Sequence, residues 1–251
     1  MDRMLSRGSN YYKRLLAIPA EKILCIDTET TGLDPRKDEI IQLSMIDGHG
    51  KSIFESLICP PTRKRWPNAQ EINGITPKMV KGKPELEEVA DQVQEAINAA
   101  DLIVGYNLPF DISMMEAEGF DFSDKEQYDL MEDYAQVFGR WSSAKDDYLW
   151  TKLTTAAKHY GIKFAAHDAG EDARATIKLF YAMLSDPEFM ATAVAKDRAY
   201  VKIQKETERA TQEQKVQKTT CLIVVIILMV FFGIIILSII SWLSSCVRLL
   251  G

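Results

Sequence analysis

From Thr219 to Val247 the chain carries no charged side chain, and residues 221–243 read CLIVVIILMVFFGIIILSIISWL. As a helix rising about 1.5 Å per residue, that run measures roughly 34 Å, enough to cross a hydrocarbon core of about 30 Å. A run this long with no polar face does not suit the surface of a water-soluble fold, so the sequence predicts one transmembrane helix, 219–243, and a short tail, 244–251. Its C-terminal position excludes a signal peptide. The N-terminal residues include Arg3, Arg7, Lys13 and Arg14 but no apolar run of secretory length. Lys205, Arg209, Lys215 and Lys218 precede the span and only Arg248 follows it, a bias that keeps the preceding chain on the cytoplasmic side. The expected location is a membrane, with a single C-terminal anchor and a cytoplasmic body. Trp242 fits an interfacial anchor, and Cys221 and Cys246 are either acylated or plain thiols.

Set against that end, the body is polar. The 251 residues hold 30 Lys and Arg against 36 Asp and Glu, a net charge of -6. This excludes a broad cationic surface that grips polyanions by phosphate neutralisation, so any nucleic-acid contact has to be local or carried by metal ions. Four cysteines, at 25, 59, 221 and 246, with no CxxC spacing, exclude a disulfide scaffold and a cysteine zinc site.

After a polar lead-in, residues 1–21, the runs Ile23 to Asp27, Ile40 to Ile46 and Ser52 to Ile58 predict a three-stranded meander, with Asp47-Gly48-His49-Gly50 as a tight connection. Residues 59–84 hold five prolines and read as loop with a short helix near Thr76. Leu86, Val89, Ala90, Val93 and Ile97 repeat at helical spacing, and Leu102 to Val104 is a buried strand. Four helices follow: near Phe110 to Glu118, near Asp129 to Phe138, one carrying Leu153, Ala156, Ala157 and Tyr160 up to Gly161, and one carrying Ala173, Ile177, Phe180 and Leu184 up to Asp186-Pro187. Strands, a helix, a strand and then helices make an α/β fold with a small mixed sheet, over residues 22–187. Residues 188–218, with few apolar positions toward their end, are expected to form a helical stalk or linker.

Three places in the body carry chemistry. Asp27 and Glu29 close the first strand two residues apart, so both carboxylates point to one face, where like charges repel unless a cation is shared. Asp111 follows Gly105-Tyr106-Asn107 in the first turn of a helix, where an acid is also stabilised by the helix dipole. His167 and Asp172 open the helix of Ala173, and the same dipole suits Asp172. Each place alone has an ordinary structural reason. Tyr106, Trp141 and Trp150 are either contacts for nucleic acid or, by default, core aromatics, while His159 reads as a helix-end residue and His49 as a turn residue.

Together, Asp27-x-Glu29-Thr30-Thr31-Gly32-Leu33, then Asn107-x-x-Phe110-Asp111, then His167-x4-Asp172, resemble the three motifs of the DEDDh 3′–5′ exonuclease family, which includes the proofreading subunit of bacterial replicative polymerase and ribonuclease T. Glu71-Ile72-Asn73-Gly74-Ile75-Thr76 is similar to that family's Gly-Ile-Thr segment, with Asn73 where a histidine is common. The likeness runs from about Lys22 to Leu184. It implies a ribonuclease-H-like fold, a mixed sheet flanked by helices. It also implies two divalent ions, magnesium or manganese, on Asp27, Glu29, Asp111 and Asp172, with Asp27 bridging, and His167 as general base. Thr30, Thr31, Gly32, Leu33, Gly74, Ile75, Asn107 and Phe110 then line the pocket for the terminal nucleotide of a single-stranded DNA or RNA end, released as a nucleoside 5′-monophosphate. An all-oxygen acid set suits such hard cations, and an imidazole exchanges protons readily near neutral pH. Two rival readings are a non-cleaving module that binds a nucleotide or nucleic-acid end at the membrane, and a tether that recruits a partner through its stalk.

Overall fold

The structure is a computed structural model that describes residues 9–145 and 147–195, with Lys205, Glu206, Arg209, Thr211, Gln212, Lys215 and Gln217. Those seven are helical, and all are exposed. The chain divides into two compact units, Met1–Asp197 and Arg198–Gly251. The expected span 219–243 and its tail lie outside the described residues, and among the described residues no helix is long and apolar enough to cross a membrane.

The first unit runs α1 (Ser9–Leu16), β1 (Ile23–Thr30), β2 (Ile40–Asp47), β3 (Ser52–Leu57), α2 (Pro67–Asn73), α3 (Pro77–Val80), α4 (Ala90–Ala99), β4 (Leu102–Gly105), α5 (Leu108–Ala117), β5 (Glu126–Asp129), α6 (Leu130–Phe138), the short strands β6 (Trp141–Ser142) and β7 (Asp147–Tyr148), α7 (Leu153–His159) and α8 (Ala169–Ser185). The main sheet has five strands in the order β3-β2-β1-β4-β5. The meander β1-β2-β3 is antiparallel, while β4 and β5 join β1 in parallel. This is the mixed sheet with flanking helices that the sequence predicts.

Strand alternation builds a core on each face. Ile23, Cys25, Val104 and Tyr128 pack with Leu130, Ala156, Ala173, Ile177 and Phe180 of α6, α7 and α8. Leu24, Ile26, Leu43, Met45 and Ile103 pack on the other face with Val93, Ile97, Ile112 and Met115 of α4 and α5.

Three features depart from the sequence reading. The lead-in is partly core: α1 buries Tyr12 and Leu15 beside Phe180 and Phe189. The stretch expected to begin a stalk does the same, since residues 187–195 are helical and bury Phe189 and Ala193. Finally, β5, with the sequence EQYD, is an unforeseen strand, held by its parallel pairing with β4. Pro187 does end α8 as expected, because a proline cannot donate to the preceding turn.

Candidate active site

The register of β1 explains where the acids gather. Its pairing with β4 covers only Ile23 to Cys25, so the end bearing Asp27 and Glu29 overhangs its parallel neighbour. The N-terminus of α5 fills that gap. Asp111 Oδ1 accepts the Thr28 N–H at 2.9 Å and the Thr28 hydroxyl at 2.7 Å. Asp27 and Glu29 point to the opposite face from Thr28, toward α8, which brings Asp172. The helices of both layers thus meet at the C-terminal end of β1, the end at which α/β sheets place their ligands.

Backbone strain marks the same place. Among the described non-glycine residues, Asn107 (φ 69°) and His167 (φ 70°) are the ones in the left-handed region. Residues held this way persist where the surroundings demand it, often at sites. Asn107 starts α5, and its N–H donates to Asp129 Oδ1 at 2.8 Å. The His167 N–H donates to Asp172 Oδ2 at 3.2 Å.

Electrostatics shows how closely the acids crowd. Burial, then Asp111, Asp172 and Glu29, push the Asp27 carboxyl well above its usual range. Burial raises Glu29 to about 7, reinforced by Asp172 and Asp168 and opposed by a hydrogen bond from the Asn73 side chain. Asp111 is raised to about 7 by burial, against the pull of its Thr28 bonds. Asp172 is raised to about 6, chiefly by burial, and its Oδ1 is buried with no hydrogen-bond partner among the described residues. Ligand atoms of Glu29, His167 and Asp172 lie within 4.8 Å of one another. An acid cluster that resists ionisation, with an unmet buried oxygen, is the environment a divalent cation relieves.

The proposed pocket residues divide. Leu33 is 82% exposed at the tip of the loop after β1, while Phe110 is partly buried against the α4–α5 core. Thr30 and Thr31 are buried, their hydroxyls bonded to the Gly32 carbonyl and to Asp38. Gly74 caps α2 in the left-handed conformation. Ile75 is a correction: its side chain is buried with Ile41, Trp66 and Val80, and its carbonyl accepts the Trp66 indole N–H, so only its backbone can face a ligand. Of the two readings of Trp141 and Trp150, the default one as core aromatics is corrected, since they are 52% and 68% exposed.

The sequence pattern for the family described as "Exonuclease" matches residues 24–180. The chain belongs to the exonuclease family. Its motifs are those of the DEDDh 3′–5′ exonucleases, which use two divalent metal ions. The exonuclease is 30% identical to DNA polymerase III subunit epsilon of Treponema pallidum over 166 residues, which cover 63% of this chain and 74% of that one. It is 26% identical to the PolC-type DNA polymerase III of Clostridium perfringens over 163 residues, 63% of this chain but 11% of that one. In fold it is similar to E. coli exonuclease I in complex with a dA16 oligonucleotide, with a TM-score of 0.53 and 22% identity over 67% of this chain and 42% of that one. The exonuclease therefore spans only part of the larger PolC-type and exonuclease I chains. Its oxygen-rich acids fit hard divalent cations.

Four residues of the site were given no role by the sequence reading, although Asn73 was singled out as a departure from the family's segment. Asn73 holds Glu29 through its side chain and takes the Ile75 N–H on its own Oδ1 at 3.0 Å. Asp168 caps α8 and adds negative charge to Asp27 and Glu29. Gln42 lies opposite Glu29 in the β1–β2 ladder. Asp129, capping α6, carried one local signal, an acid just before an apolar helix.

Proposed function

We propose that this protein is a membrane-tethered 3′–5′ exonuclease that trims the free end of single-stranded DNA or RNA and releases nucleoside 5′-monophosphates. The observation that carries the reading is the convergence of Asp27, Glu29, Asp111 and Asp172 into one self-repelling cluster with His167 beside it.

In this reading Asp27, Glu29, Asp111 and Asp172 would hold two divalent ions, magnesium or manganese. Such a pair supplies positive charge for both the attacking and the leaving oxygen of an in-line displacement. His167, exposed beside Asp172, takes a proton on a ring nitrogen from the attacking water. The water oxygen bonds to phosphorus as the bond from phosphorus to the 3′ oxygen breaks. The 5′-monophosphate leaves, and the shortened strand keeps a 3′ hydroxyl. Leu33 offers an exposed apolar face to the terminal base, with Phe110, Asn107 and the backbone of residues 30–33, 74 and 75 around it. The oligonucleotide carried by exonuclease I, a fold neighbour, supports a single strand as substrate. The charge-free run 219–247 supports the tether, and the basic residues before it support a cytoplasmic active site.

The test is digestion of end-labelled DNA and RNA, single and duplex, by the full chain in detergent with magnesium or manganese. Stepwise shortening from the 3′ end of single strands is expected, and Asp27→Ala should abolish it. Unchanged cleavage by Asp27→Ala would remove the metal assignment. Tight oligonucleotide binding with no product would point instead to a non-cleaving end-binding module.

A further inference from the structure

Residues 59–84 form a closed lobe on the body. The Cys59 N–H donates to the Pro84 carbonyl at 2.9 Å, which joins the two ends, and Trp66, Ile75 and Val80 fill the inside against Ile41 of β2. This stretch holds six cations, Arg63, Lys64, Arg65, Lys78, Lys81 and Lys83, against one acid, Glu71, a net of +5 on a chain whose net is -6. Arg63 is taken up by Asp38 at 3.0 Å. The other five are exposed, and none of them forms an ion pair among the described residues. Lys64 and Arg65 lead into Trp66 and Lys81 follows Val80, so the shared packing of those two apolar side chains gathers the cations around one small cluster. None of the five belongs to the acid site.

Five unpaired like charges on one lobe repel, and a polyanionic partner relieves that repulsion. The lobe lacks what a single-stranded nucleic acid would use: its aromatic side chain, Trp66, is 3% exposed and presents no ring to a base. What it exposes instead is an aliphatic side chain, Met79, 47% exposed between Lys78 and Lys81. Most of the unpaired cations are lysines, point charges on flexible stems that suit a diffuse field of headgroups better than a forked grip on one phosphate. An apolar side chain rimmed by such cations has the chemistry of a bilayer surface, with the cations among the headgroups and the apolar group at the acyl boundary.

We infer that this lobe docks the body on the anionic headgroups of the membrane that the chain is proposed to span. The inference rests on the proposed tether and deepens it. The basic residues before 219–243 support a body on the cytoplasmic side, where the lipid surface is negative. Residues 196–218, 23 in all, reach at most about 80 Å when fully extended. The lobe then stays near the bilayer at a high effective concentration, and a weak attraction suffices to dock it. Each Lys or Arg close to such a surface strengthens the attachment about fivefold.

The experiment reconstitutes the full chain, body outward, in vesicles of phosphatidylcholine alone or with about one-third phosphatidylserine, acetylates its lysines with an N-hydroxysuccinimide ester and reads each site by mass spectrometry. Lys64, Lys78, Lys81 and Lys83 should react at least about fivefold more slowly in the phosphatidylserine vesicles. Lys158 and Lys163, exposed elsewhere on the body, should react alike in both. Salt at about 0.5 M should erase the difference, because it cuts the screening length to roughly half its physiological value. Replacing three cations together, Lys78→Gln, Lys81→Gln and Lys83→Gln, should weaken docking about 100-fold and leave Lys64 unprotected, with Tm in detergent unchanged because the three are exposed and unpaired. Equal rates in the two vesicles, or slowing shared by Lys158 and Lys163, would overturn the docking and leave the tether standing. If a single-stranded oligonucleotide in detergent protects the four lysines and the vesicles do not, the lobe is a nucleic-acid contact and the docking falls. A full chain that an alkaline carbonate wash strips from the vesicles would overturn the tether, and the docking with it.

Discussion

The side-chain amide of Gln42 donates to Asp168 across 3.2 Å and thereby joins β2 to the start of the helix that carries Asp172. The Gln42 carbonyl oxygen also accepts the Ala169 N–H at 3.3 Å. Because Gln42 faces Glu29 across the β1–β2 ladder, this bridge sets how far α8 stands from the strand bearing Glu29. Gln42→Ala should lower activity about 10- to 100-fold, as the loss of residues supporting metal ligands does elsewhere. The lost hydrogen bonds should cost about 1 kcal/mol, seen as a fall in Tm of about 2–4 °C. Kinetics and thermal melts on the same preparation check both. Unchanged activity would show that α8 is placed without Gln42.

The raised carboxylates predict how stability varies with pH. Glu29 and Asp111 titrate at about 7 and Asp172 at about 6 in the fold, with burial the first cause in each. Unfolded carboxyls titrate near 4, so between pH about 4 and about 7 the folded chain holds more protons. Stability is therefore greatest below pH about 4 for these groups and is lost as pH rises to about 7. EDTA-treated protein should melt lower at pH 7.5 than at pH 5. Manganese at about 100 times its Kd should add roughly 2.7 kcal/mol at pH 7.5, or about 5–10 °C, and far less at pH 5. Calorimetry at the two values decides it, and a manganese effect of equal size at both would contradict the acid cluster as its site.

Asp129 serves two elements at once. Its Oδ1 accepts the Asn107 N–H at 2.8 Å and the Met131 N–H at 3.0 Å, so one carboxylate caps α6 and holds the left-handed turn before Asp111. Asp129→Ala should cost about 2 kcal/mol from the lost cap and turn bond. Activity should fall further than stability alone explains. Asp129→Asn keeps the accepting oxygen and should keep more of both. Denaturant titration beside oligonucleotide digestion separates the two effects.

The acids were legible in sequence because each sits at a position whose geometry is local. Two strand residues of equal parity share a face, so Asp27 and Glu29 belong together before any tertiary contact is known. Asp111 and Asp172 follow strand-end and helix-start signals that fall within single motifs. What stayed hidden depends on partners distant in the chain. Gln42 has no mark in IIQLSMI that sets it apart, and its role exists only because α8 crosses β2. The strand EQYD has one apolar residue, Tyr128, and becomes a strand because β4 offers an open parallel edge. Tyr12 and Leu15 lie in a stretch too short to announce an amphipathic helix, and their burial follows from Phe189 closing the same core. Trp150 was open to two readings in sequence, and its burial default fails because the fold leaves it 68% exposed.

The proposed tether makes its own prediction. A chain carrying residues 219–243 as a membrane span stays in the pellet when membranes are washed with alkaline carbonate. Ending the chain at Lys218 should move it to the supernatant without loss of nuclease activity per molecule. Release of the full chain by the same wash would contradict the span and leave the nuclease assignment untouched.

Gly32 tests the loop that presents Leu33. A Cβ there would fall well inside van der Waals distance of the Asp38 carboxylate, with no positive φ involved. That carboxylate cannot easily move. Its oxygens accept the Asp34 N–H at 3.0 Å, the Thr31 hydroxyl at 3.2 Å and the Arg63 guanidinium at 3.0 Å, which ties the loop to the segment after β3. Gly32→Ala should therefore displace Asp38 and cost about 1–3 kcal/mol, the usual range for overpacking. The loop should loosen where the terminal base is proposed to rest, so KM for a single-stranded oligonucleotide should rise. Asp38→Ala in the same chain makes room for the new methyl and separates the two causes. If Gly32→Ala, Asp38→Ala regains stability but not KM, the loop's geometry, rather than the clash, sets binding.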